Sequence, residues 1–145
     1  GKIMKLNDNC IRDIMKYLVD NLEWHLDDDE KITYNTIDAQ TISKVLSDYN
    51  EITIYQSIHI LAEENFILGN NLLEMNNKNP WLIHIKEITY LGHNFYNSIQ
   101  DDTTWSKTKS VIGKIGNHSL HFMEETAQLV AKEAAKQAVA IAMTK

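Results

Sequence analysis

The stretch from Thr53 to Thr89 leaves this chain few ways to fold. Ile54, Ile58, Leu61 and Ala62 recur at i, i+4, i+7 and i+8, one apolar stripe of an α-helix. Thr53-Ile54-Tyr55-Gln56 fits a capping box, the hydroxyl accepting from an early backbone N–H while Gln56 reaches back. Asn65 tolerates the left-handed conformation that stops a helix. The spacing therefore predicts a helix over 53–67 that shows Tyr55, Gln56, His59, Ile60 and Glu63 outward. The period then changes to two. Trp81, Ile83 and Ile85 share one face and Leu82, His84 and Lys86 the other, after the polar turn Asn76-Asn77-Lys78-Asn79-Pro80. This predicts a β-hairpin over 68–88. The single proline sits just before the second strand, where its missing N–H costs no ladder bond.

Two helices precede this unit. Asn7 or Asp8 can cap the first, whose stripe is Ile11, Ile14, Met15, Leu18 and Leu22. Cys10 lies beside that stripe and reads as a small buried hydrophobe. Asp27-Asp28-Asp29-Glu30 lacks the alternation and the glycine of a calcium loop and reads as a solvated loop, with ion binding left open. Ile32 to Ile37 is β-branched enough for a short strand against the hairpin. Asp38 can cap the second helix, with Ile42, Val45, Leu46 and Tyr49 inward. Only Asn50 and Glu51 separate it from the next helix, as a helix-turn-helix requires. The fold class that follows is mainly α (α+β): a winged helix-turn-helix with a hairpin wing and one extra Ala-rich C-terminal helix.

Beyond the hairpin, Thr89 caps a helix with Leu91, Phe95 and Ile99 on one face. Asp101-Asp102-Thr103 breaks it and starts another, lined by Trp105, Thr108 and Ile112. Gly113-Lys114-Ile115-Gly116 lacks the spacing of a phosphate loop and reads as a hinge. Ser119 caps a last helix over 119–143 with a seam of Leu120, Met123, Ala127, Val130, Ala134, Ala138 and Ile141. Alanine favours helix and lets two backbones approach. The seam from Met123 to Ile141 is accordingly the expected dimerisation element. Three segments result: a winged-helix domain over 1–102, a short helix and hinge over 103–118, and the terminal helix over 119–145.

Charge narrows the function. Net charge is −6, distributed unevenly. Residues 1–102 carry 17 Asp/Glu against 8 Lys/Arg, net −9, and residues 103–145 carry 3 Glu against 6 Lys, net +3. Helix 53–67 has Glu63 and Glu64 and no Lys or Arg. A duplex-binding surface draws much of its affinity from cations that neutralise phosphates. No apolar run approaches the roughly 18 residues that cross a bilayer. No signal peptide is evident, Met4 reads as an initiator, and one cysteine cannot form an internal disulfide. A cytoplasmic protein without membrane association is expected.

The segment Ile88 to Ile99, followed by Asp101-Asp102 and Trp105-Ser106-Lys107-Thr108-Lys109, resembles domain-of-unknown-function family 2513. That family's signature is an "LTxxGHxFL" helix and then "DxxxWxKxK". Ile11-Arg12-Asp13-Ile14-Met15 matches its early helix, and Ser57 to Ile67 is similar to its "HLxxLxxAGLI" segment. Ser57 stands where the family often has His, Asn65 where it has Gly, and Gln100 where Arg is common. The resemblance covers nearly the whole chain. It implies a winged helix in phages, prophages and bacterial genomes, with no established activity.

Six histidines invite a metal reading, but His118 and His121, with Glu124 and Glu125 after them, lack zinc-ligand spacing. His93 beside Gly92 reads as a satisfied structural group. No nucleophile elbow or catalytic order of Ser, His and Asp occurs. No catalytic residue, metal or cofactor is expected. The leading expectation is a non-enzymatic binding protein that uses Tyr55, Gln56, His59, Ile60 and Glu63 on a host or phage protein and forms a homodimer through its last helix. A counter-defence or regulatory role would suit it. The alternative is a DNA-binding transcriptional regulator, disfavoured by charge, that would use helix 53–67, Lys78 and Lys86 on the wing, and the basic cluster Lys107, Lys109 and Lys114.

Overall fold

The computed structural model describes residues 5–144, so Met4 lies outside the described residues. Among the described residues the fold is mainly α, with six α-helices and two small antiparallel sheets. It divides into two compact units, residues 7–93 and residues 94–144 with residues 5–6.

The first unit opens with α1 (Asp8–Asn21), capped by Asn7, whose Oδ1 accepts the Cys10 N–H at 3.0 Å. Cys10, Ile11, Ile14, Met15 and Leu18 are fully buried along one stripe. Strands β1 (Trp24–Leu26) and β2 (Ile32–Tyr34) then form an antiparallel hairpin, which the sequence reading does not foresee. Its turn is built by Asp27, whose Oδ1 accepts the N–H of Asp29 at 2.8 Å and of Lys31 at 2.9 Å. Asn35 clips the base: its Oδ1 accepts the Glu23 N–H at 2.9 Å and its Nδ2 donates to the Asn21 carbonyl at 2.8 Å. The strand expected over 32–37 is thus divided. Ile32–Tyr34 pairs with β1, and only β3 (Ile37–Asp38) joins the other sheet.

Asp38 caps α2 (Ala39–Val45), accepting from the Thr41 N–H at 2.8 Å. This helix is short, so Ile42 and Ser43 are buried while Val45, expected inward, is exposed. Helix α3 (Glu51–Glu63) begins earlier than expected, because Asn50 takes the cap position and accepts the Ile52 N–H at 2.8 Å. It also ends earlier: Asn65 adopts φ 60°, the Phe66 N–H returns to the Leu61 carbonyl at 3.0 Å, and Ile67 starts a strand. Helices α1 and α2 both pack on α3. Ile54, Ile58 and Leu61 are its fully buried residues, and each such side chain contributes about 1.5–3 kcal/mol.

Strands β4 (Ile67–Asn70) and β5 (His84–Ile88) pair antiparallel, and β3 lies on the other side of β5, giving the order β3-β5-β4. The β4–β5 register shifts between Leu68 and Gly69. There the strands approach so closely that a β-carbon on Gly69 would stand 1.9 Å from the His84 carbonyl oxygen. The connection over 71–83 corrects the expected hairpin. Pro80–Leu82 is a single 3-10 turn rather than strand, and Trp81 leaves the strand face to become exposed, whereas Ile83 and Ile85 are buried. Asn71 and Asn77 take positive φ in this loop, and Asn71 Nδ2 donates to the Leu82 carbonyl at 2.9 Å.

Helix α4 (Tyr90–Ile99) starts in this unit, capped by Thr89, whose hydroxyl oxygen accepts the Gly92 N–H at 3.0 Å. Leu91, expected inward, is half exposed, while Phe95 and Ile99 are buried. In the second unit, Asp101 caps α5 (Asp102–Ile112), accepting from Thr104 at 2.9 Å. Trp105, Thr108 and Ile112 form its buried stripe. A turn through Gly113 and Gly116, the latter at φ +84°, leads to α6 (Leu120–Met143), capped by Ser119. Leu120, Met123, Thr126 and Ala127 are buried where α6 lies along α5, and every residue from 132 to 144 is exposed.

Candidate partner-binding surface

The outward face of α3 is the candidate site. Glu51, Ile52, Gln56 and Glu63 are exposed, while Tyr55, His59 and Ile60 are half-buried at its margins. His59 is held at both ring nitrogens, Nδ1 at 3.0 Å from the Leu72 carbonyl and Nε2 at 3.2 Å from Glu63. Burial pushes the Tyr55 phenol upward, so it stays a neutral hydroxyl. Ser57, beside the exposed Gln56, is buried and donates to the Thr53 carbonyl at 2.7 Å. Ile52, with 60% of its surface exposed, lies one turn before Gln56 on the same face and was not anticipated. The late start assigned to α3 hid it.

The cations of the DNA reading sit on separate elements of the two units. Lys78 is exposed in the 71–83 loop. Lys86 is half-buried on β5 and borders a cleft of about 420 Å³ shared with Glu23, Trp24, Glu87 and His93. Two of those neighbours are carboxylates. On α5, Lys107 and Lys109 are two residues apart and leave the helix in nearly opposite directions. Lys109 places its ammonium 5.8 Å from the Trp105 ring centre, a cation–π contact. Lys114 lies beyond the helix, exposed. The basic cluster of the sequence is not one face of the helix.

The dimerisation seam is also divided. Met123 and Ala127 are completely buried, so they present no surface to a second copy. Val130 is half-buried; Ala134, Ala138 and Ile141 are exposed. His121 sits between two carboxylates, Nε2 at 3.0 Å from Glu125 and Nδ1 at 3.9 Å from Glu124, while His118 Nδ1 lies 3.0 Å from the Gly116 carbonyl oxygen. Cys10 is fully buried, and burial pushes its thiol up, so it is a poor nucleophile.

A second surface escaped the sequence reading. In the β1–β2 hairpin, Trp24 pairs with Tyr34 and Leu26 with Ile32, so all four side chains share one face. They are 64%, 50%, 64% and 66% exposed in that order. The signal was there: Trp24-His25-Leu26 and Ile32-Thr33-Tyr34 alternate on either side of an acidic turn.

Residues 5–118 match the model of a family described as "Hypothetical protein (DUF2513)". No curated protein and no solved structure matches the chain.

Proposed function

We propose that this chain, which belongs to the DUF2513 family, is a non-enzymatic winged-helix binding protein that engages a protein partner through the exposed face of α3 and self-associates through the distal half of α6. The order α1, β3, α2, α3, β4, β5, with β5 central in the sheet, supports the winged-helix reading. The observation that carries the choice of partner is the charge of α3. Its outward face holds Glu51 and Glu63 and no Lys or Arg, in a unit with 15 Asp/Glu against 6 Lys/Arg. Such a face repels phosphates and suits a basic protein surface. The phage and prophage setting implied by the family resemblance makes a host or phage protein the partner, in the cytoplasm. No helix among the described residues is long and apolar enough to cross a membrane.

The test is a titration against mixed-sequence duplex DNA at low and at physiological salt. The expected result is no binding at either. Steep low-salt binding that Lys78→Glu with Lys86→Glu abolishes would instead establish the DNA-binding alternative. In parallel, a host protein retained by the wild-type chain should be lost by an Ile52→Glu, Gln56→Lys variant. Equal retention would move the site off α3.

A further inference from the structure

The hairpin face formed by Trp24, Tyr34, Leu26 and Ile32 is an apolar sheet surface left open, ending in the Asp27–Lys31 turn with four carboxylates against one lysine. Nucleic acid and anionic lipid are both repelled by that turn. The same chain contains the complementary pattern. On the exposed half of α6, Leu129, Lys132, Lys136, Val139 and Met143 fall at spacings of three and four and form one stripe, on the opposite side of the helix from Ala134, about 170° around it. Leu129, Val139 and Met143 are 69%, 57% and 81% exposed. Lys132, Lys136 and Lys145 outnumber Glu133 in residues 129–145, net +2.

We propose that the lysine-bearing stripe of α6 in one copy lies on the hairpin face of a second copy, with Lys132 and Lys136 beside the carboxylates of the turn. This rests on the self-association read above and names the surface that the other copy contributes. The lengths agree. From Lys136 to Met143 a helix advances about 10 Å, and three strand residues span about 10 Å. Val139 then covers Leu26 and Ile32, and Met143 covers Trp24 and Tyr34. A two-fold pair makes the contact twice, burying both hairpins and both helix ends. Charge fixes the direction of the helix across the strands, and the apolar side chains supply the affinity.

Sedimentation of the full chain across a range of concentrations tests the proposal. The wild type is expected to dimerise, more weakly at high salt. Reversing the turn (Asp28→Lys, Asp29→Lys, Glu30→Lys) or the stripe (Lys132→Glu, Lys136→Glu) should weaken the dimer about tenfold or more, and combining the two sets should restore it. Asp27 is left in place because it holds the turn. Trp24→Ser with Tyr34→Ser should weaken the dimer without changing the helical circular dichroism. Hairpin variants that dimerise like the wild type, while truncation after Ala131 gives a monomer, would overturn the proposal. They would leave self-association to the Ala134, Ala138 and Ile141 seam. A wild-type monomer at all concentrations would overturn both.

Discussion

At Gly92 a β-carbon would stand 2.1 Å from the carbonyl oxygen of Phe66, and the neighbouring Thr89 N–H donates to that same oxygen at 3.0 Å. The first turn of α4 can therefore lie against the chain leaving α3 only without a side chain at this position. This gives the glycine of the Gly92-His93 pair a packing reason. Gly92→Ala is expected to cost about 3 kcal/mol, through backbone displacement, and to lower the urea midpoint accordingly. Tyr49 supplies a second residue-scale test. Its hydroxyl donates to Asp13 Oδ2 at 2.5 Å, and burial first, then this hydrogen bond, push the phenol well above its ordinary value of 10.0. The folded chain keeps this proton while the unfolded chain begins to lose it near pH 10. The stability it lends is whole below pH 10 and drains as pH rises beyond it. Tyr49→Phe should cost about 1–2 kcal/mol at neutral pH and flatten the alkaline loss of stability, measured by urea unfolding between pH 7 and 11. Cys10 should resist a thiol reagent in the folded protein and react only on unfolding.

Among the elements, starts were more legible than ends. Asn7, Asp38, Thr89, Asp101 and Ser119 each place a side-chain oxygen just before an apolar period, and each accepts the backbone N–H expected of a cap. Helix α3 broke the pattern because Asn50 and Thr53 are both competent caps, and the earlier one leaves Thr53 inside the first turn. Asn50→Ala should accordingly destabilise the chain by about 1 kcal/mol in thermal unfolding, and Thr53→Ala by less. Asn65 as the stop was readable because few residues tolerate positive φ. The wing was readable as a pair of strands but not in extent. Alternation continues through Trp81 and Leu82 in the sequence, yet proline pre-sets the 3-10 turn that carries both off the sheet. The β1–β2 hairpin was missed because its strands are three residues long and its acidic turn looked like any solvated loop. Alternation that short acquires meaning only when pairing is seen. On α6 the Ala-rich seam reads as one surface in sequence, and packing along α5 splits it at about Val130.

For the molecule as a whole, the division into residues 7–93 and the chain from 94 onward concentrates negative charge in the first unit and leaves the C-terminal part positive. That asymmetry was available from composition, whereas the loss of Met123 and Ala127 to internal packing was not. The distribution of the three tryptophans has a practical consequence. Trp24 and Trp81, in the first unit, already face water, whereas Trp105, in the second, is 4% exposed beneath the Lys109 ammonium. Intrinsic fluorescence is therefore an unequal reporter of the two units. At concentrations low enough to keep the chain monomeric, a red shift of the emission maximum on denaturation should track the chain around α5, while melting of the residues 7–93 unit should be nearly silent in wavelength and visible instead in far-ultraviolet ellipticity. Trp105→Phe should abolish most of the shift. If it persists undiminished, Trp24 or Trp81 must be shielded in solution, and quenching by iodide at increasing protein concentration would show whether a second copy provides that shield.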